Sequence, residues 1–177
     1  MTCENCGASL RADWQKGVFV CDYCGSEFVP PPDSDGVLVM GESSAPCPIC
    51  ASRLSDGSLE SHALKYCVKC HGMLIPMDQL AELVDTLRIK RDRFAKPILP
   101  RSLADSSRHL HCPLCGAEFD AHPYGGGGNI NVDSCERCGR VWLDGGELRR
   151  IVTAPGRETL PVMRDDEEQP RYGGSIV

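Results

Sequence analysis

Apolar positions along the chain fall in short runs. Val18-Phe19-Val20 reads as a strand. Val37–Met40 is a second brief run, which either adds a strand to a neighbouring unit or stays outside it. Short apolar strands are expected around Leu74-Ile75 and Trp142-Leu143. Two further stretches carry the helical period instead. Leu80, Leu83, Val84, Leu87, Arg91 and Phe94 fall on or near one face, and Asp78 offers an N-cap, so the spacing predicts a helix over roughly 77–94. Leu148, Ile151 and Val152 repeat that spacing. Asp144 stands where an N-cap would, and Glu147 three residues later completes a capping-box pattern. No run approaches the roughly 18 apolar residues of a membrane-spanning helix.

Cysteine pairs punctuate these elements. All twelve cysteines fall in six Cys-x-x-Cys pairs: Cys3/Cys6, Cys21/Cys24, Cys47/Cys50, Cys67/Cys70, Cys112/Cys115 and Cys135/Cys138. Aromatic residues make up 6% of the 177, too few to dominate one large core. Several small units, each nucleated by a metal, fit this composition better. Pairing by proximity joins consecutive pairs across loops of 14, 16 and 19 residues. The expected architecture is a small metal-stabilised multi-domain protein. It holds three four-cysteine zinc ribbons of short antiparallel strands, two of them followed by an amphipathic helix. The divisions are ribbon one (1–29), linker (30–46), ribbon two with its helix (47–96), linker (97–111), ribbon three with its helix (112–153) and a disordered acidic tail (154–177).

The spacing bears on the chemistry of the sulfurs. Met1-Thr2-Cys3 opens directly on a ligand pair with no leader-like apolar run behind it. In the reducing cytoplasm expected here, paired cysteines are metal ligands rather than disulfides. Each zinc held by four thiolates adds two negative charges, so three sites would carry the formal charge from −6 to −12, against phosphate-backbone binding over the whole surface. The one positive region is Arg88–Arg101.

Units two and three align without a gap from their second cysteine pair onward. Cys67, Cys70, Leu74, Ile75, Leu80, Leu83 and Val84 correspond to Cys135, Cys138, Trp142, Leu143, Leu148, Ile151 and Val152. Unit three, with Cys112, Pro113, Cys115, Cys135, Cys138, Gly139, Trp142, Leu143, Asp144, Gly146, Glu147 and Leu148, resembles the bacterial transcription-factor-IIB-like zinc-ribbon family. It departs from that pattern at Arg140. Unit two is similar through Cys47, Pro48, Cys50, Cys67, Cys70, Gly72 and Leu80, and departs from it over Met73–Gln79. Unit one resembles zinc ribbons in general. What the resemblance implies is a zinc-binding module with no reaction attached.

An enzyme would need an open coordination position, and a site of four cysteines is closed. His71 and His111 adjoin ligand pairs and could each replace a cysteine. Asp144 and Glu147 read as helix capping before they read as a catalytic carboxylate pair. The sequence therefore points to a non-enzymatic zinc adapter working through protein contacts, with three zinc ions, no membrane and no small-molecule substrate. Two alternatives stay open: nucleic-acid binding through Arg88–Arg101, and a redox or rubredoxin-like iron protein built on the same knuckles.

Overall fold

The computed structural model describes residues 1–14, 16–90, 108–126 and 129–155. Unit one is a three-stranded antiparallel sheet of β1 (Leu10–Asp13), β2 (Val18–Cys21) and β3 (Glu27–Phe28). β2 is the strand read at Val18-Phe19-Val20. Trp14 and Gly17 stand at the turn that precedes it. A β-carbon at Gly17 would lie 3.0 Å from Leu38 Cδ1, so this turn rests against the next sheet.

Units two and three share that next sheet. Its strands are β4 (Leu38–Pro46), β5 (Arg53–Leu59), β6 (His62–Tyr66), β7 (Met73–Pro76), β8 (Asp120–Pro123), β9 (Asn131–Cys135) and β10 (Arg140–Leu143). They pair antiparallel in the order β4-β5-β6-β7-β10-β9-β8. Two expectations are corrected here. Residues 38–46 are a strand along one edge of the sheet and not a linker, so the run at Val37–Met40 does add a strand. Units two and three are also not separate bodies, since β7 and β10 pair directly.

The register of that pairing is informative. Met73, Leu74, Ile75 and Pro76 stand opposite Leu143, Trp142, Val141 and Arg140. Leu74 and Trp142 are equivalent in the repeat, so each pairs with its own counterpart. Such pairing marks a local two-fold axis between the units, as at an isologous interface. The helices that follow, α1 (Leu80–Lys90) and α2 (Glu147–Thr153), pack on each other across the same axis.

β7 and β10 are apolar on both faces, because both faces are covered. Met73, Ile75, Val141 and Leu143 join Leu80, Leu83, Val84, Leu148, Ile151 and Val152 in the helix-side core. Leu74 and Trp142 point the other way, into a cluster with Leu54, Phe119 and four cysteines. Alternation along a strand sends successive side chains to opposite faces, and each face here has its own cover.

Helix α1 begins at Leu80 rather than near 77, and residues 91–107, which hold the rest of the expected helix and most of the expected second linker, lie outside the described residues, as does the expected acidic tail past Pro155. Arg88 Nη2 donates to the carbonyl of Ile151 at 2.9 Å, one of the carbonyls left open at the C-terminal end of α2. Lys90 pairs with Glu60. No helix among the described residues is long and apolar enough to cross a membrane.

Candidate metal centres

Five of the six knuckles repeat one turn. In the first, the Gly7 amide donates to the Cys3 carbonyl at 2.8 Å and the Cys3 amide to the Ala8 carbonyl at 2.7 Å. The same two bonds recur at Cys21, Cys47, Cys67 and Cys112. The residue after the second cysteine must then take a left-handed conformation. Gly7, Gly25, Gly116 and Gly139 accept it without penalty, while Ala51 and His71 adopt it at φ 58° and 61°. The knuckle at Cys135 differs, with a looser bond of 3.3 Å from the Cys138 amide to the Cys135 carbonyl.

These turns gather the sulfurs into three groups: Cys3/Cys6/Cys21/Cys24, Cys47/Cys50/Cys67/Cys70 and Cys112/Cys115/Cys135/Cys138. Within each group all four sulfurs lie within 4.8 Å of one another. Across knuckles, Cys3–Cys24, Cys6–Cys21, Cys47–Cys70, Cys50–Cys67 and Cys115–Cys135 stand 3.5 to 3.6 Å apart. Four sulfurs about 2.3 Å from one zinc stand close to 3.8 Å apart, whereas a disulfide needs about 2.05 Å. Every cysteine is free. The donor set and its spacing therefore fit three tetrahedral zinc ions, each held by consecutive cysteine pairs. Each site is closed by four thiolates.

The sites differ in surroundings. Cys6 and Cys24 of the first site are exposed, while Cys50, Cys70, Cys115 and Cys138 are half-buried. Ser26 and Ser52 reach back to their knuckles, Ser26 Oγ lying 3.2 Å from Cys24 Sγ and Ser52 Oγ 2.9 Å from Cys50 Sγ. These contacts favour thiolate. Without metal they draw Cys24 down to about 5 and Cys50 down to about 6. Burial pushes the Cys47 and Cys112 thiols the other way.

Neither histidine beside a ligand pair enters a sulfur cluster. His111 forms an isolated bridge with Glu118. His71 Nδ1 lies 2.8 Å from Asp35 Oδ2 and 2.6 Å from Tyr66 Oη, and the Tyr66 hydroxyl donates to Asp35 at 2.9 Å. Asp33 Oδ1 accepts the amides of Asp35 and Val37. This network ties the turn before β4 to the second knuckle of site two. Burial, with Asp33 and Asp35 behind it, pushes the Tyr66 phenol far above its ordinary range and keeps it a donor.

The stretch Trp142–Glu147 turns inward. Trp142 is fully buried, so it is not an exposed contact residue. Its Nε1 donates to Asp144 Oδ1 at 2.9 Å, and Asp144 Oδ2 lies 2.7 Å from Arg108 Nη1. Glu147 Oε2 accepts the Asp144 amide at 2.8 Å, which is half of the expected capping box. The Asp144 carboxylate is turned to the indole and the guanidinium, and the Glu147 amide donates instead to the Asp144 carbonyl at 3.0 Å. Both glycines at the two-fold axis are close approaches. A methyl group at Gly72 would overlap the Trp142 ring, and one at Gly145 would overlap the Cys70 carbonyl.

Residues 111–154 match the family model described as transcription factor zinc-finger, a zinc ribbon of the transcription-factor-IIB type. The match spans the third unit, and the likeness of unit two rests on the internal repeat alone. No curated protein and no solved structure matches the chain.

Proposed function

We propose that this chain is a non-enzymatic zinc-binding adapter, associated with transcription, that engages a protein partner through its knuckles. The observation that carries this reading is an exposed apolar residue inside four of the six Cys-x-x-Cys turns. Tyr23 is 85% exposed, Val68 55%, Leu114 44% and Ile49 41%. Metal ligation fixes each turn, so these side chains are held out at little further entropic cost, which favours recognition. Two of the turns lie side by side, where Pro46, Pro48, Leu110, Pro113 and Leu114 line one groove. Closed sulfur sites leave no coordination position for a substrate, and the thiols they need suit a reducing compartment such as the cytoplasm. Nucleic-acid binding through Arg88–Arg101 has weaker support, because Arg88 and Lys90 already hold internal partners.

The test is Ile49→Asp with Leu114→Asp, made in the zinc-loaded chain. Partners recovered from cells by the native chain and identified by mass spectrometry should be depleted at least about tenfold, the scale of one interface hot spot. Zinc content should stay at three per chain. Undiminished recovery of all those partners by the double variant would defeat the reading.

A further inference from the structure

We infer that zinc sites two and three form one coupled metal-binding unit in which loss of either ion loosens the other, while site one binds and releases its zinc separately. In the sequence the two sites belong to different ribbons, each complete in its own four cysteines. The fold removes that independence at three places around the two-fold axis.

The first is the shared core. Cys47 and Cys67 of site two and Cys112 and Cys135 of site three are buried in one cluster, with Leu74 and Trp142 in the same cluster. The second is the crossed use of the repeat. Trp142, from the strand that follows the Cys135–Cys138 knuckle, packs against Gly72, two residues after Cys70. Gly145, at the turn before α2, lies against the carbonyl of Cys70 itself. The third is the mirror of that contact: the amide of Met77, before α1, donates to the carbonyl of Gly139 at 2.9 Å, next to Cys138. Each unit's helix-entry turn therefore braces the other unit's second knuckle.

A zinc knuckle holds its shape because the metal holds its sulfurs. When site three empties, the Cys135–Cys138 turn and the strand behind it relax, and Trp142 and Gly145 no longer hold the Cys70 turn. The converse follows through Gly72 and Gly139. Coupling between two binding sites is reciprocal, so each ion must aid the other by the same factor. Site one has none of these contacts. Its sulfurs sit in a separate three-stranded sheet, and the approach to the larger sheet is made at the turn between β1 and β2, by Gly17 against Leu38 and by Trp14 beside Asp56, Leu64 and Arg140, away from the sulfurs of sites two and three.

The inference is tested on the full zinc-loaded chain by limited chelation followed by a short pulse of N-ethylmaleimide. Intact mass counts the alkylated cysteines in each molecule and peptide mapping assigns them. Molecules should carry label on the four cysteines of site one, on the eight of sites two and three together, or on all twelve. A substantial population labelled at Cys47/Cys50/Cys67/Cys70 alone, or at Cys112/Cys115/Cys135/Cys138 alone, would overturn the inference. Two glycine variants test the cause. Gly145→Ala lies in unit three and should raise the labelling rate of the site-two cysteines at least about fivefold, the lower end of typical site-to-site coupling. Gly72→Ala lies in unit two and should do the same to site three. Labelling of Cys3/Cys6/Cys21/Cys24 should change in neither. Acceleration confined to the substituted unit's own cysteines, or no acceleration at all, would overturn the coupling. Should either variant fail to load three zinc ions, the label distribution of the native chain decides alone.

Discussion

Replacing Trp142 with alanine should weaken unit two as much as unit three. The side chain is fully buried on the knuckle face of the sheet, opposite Leu74 and against Gly72. A buried indole removes about 150–250 Å² from water, which at about 25 cal/mol per Å² corresponds to about 4–6 kcal/mol. Partial collapse of the cavity brings the expected loss to about 3–5 kcal/mol. Asp144 loses the indole donor but keeps Arg108, so no bare carboxylate is left behind. Structural zinc contributes apparent folding free energies of ~10–16 kcal/mol per site, so the loaded variant should stay folded. The readout is amide hydrogen exchange of the zinc-loaded chain. Protection in β6 and β7 should fall by at least about a hundredfold together with that in β9 and β10, since each 1.4 kcal/mol is about tenfold. Amides of β2 serve as the internal control. Protection lost in β8–β10 and α2 while β6 and β7 stay unchanged would refute the shared core.

Removing the guanidinium with Arg88→Ala should cost about 1–2 kcal/mol, because the Ile151 carbonyl loses a charged donor. Thermal unfolding of the loaded chain checks it, and an unchanged midpoint would mean the contact contributes nothing. The metal-free chain should take up zinc with release of protons. Burial holds the Cys47 and Cys112 thiols above their ordinary value, so they are neutral near pH 7 before the metal binds. The sign follows: the raised thiols favour the metal-free fold below the ordinary thiol range and cease to do so as pH rises through their own values. Zinc affinity accordingly climbs with pH and falls in acid. Calorimetric heats of zinc binding that do not vary with the ionisation enthalpy of the buffer would contradict this.

The sulfur clusters were legible in the sequence because their geometry is local. A Cys-x-x-Cys turn is closed by its own amides, and consecutive pairs are separated by only 14 to 19 residues. The repeat was legible for a similar reason, since seven equivalent positions kept their spacing. What the two repeats do to each other was not, because β7 and β10 are far apart in sequence and pairing between them satisfies no local pattern. A signal was nevertheless present. Met73-Leu74-Ile75 and Val141-Trp142-Leu143 are unbroken apolar runs, whereas a strand with one solvated face would alternate. An amphipathic helix can cover only one face of such a strand, so the second face required another cover. The difference between the two repeats at this position fits the same requirement. Unit two carries Leu74 where unit three carries Trp142, and these two meet across the axis; a second indole there would have to occupy space that the first already fills beside Gly72. One large and one smaller side chain fill the centre of the axis without overlap, where two large ones would collide.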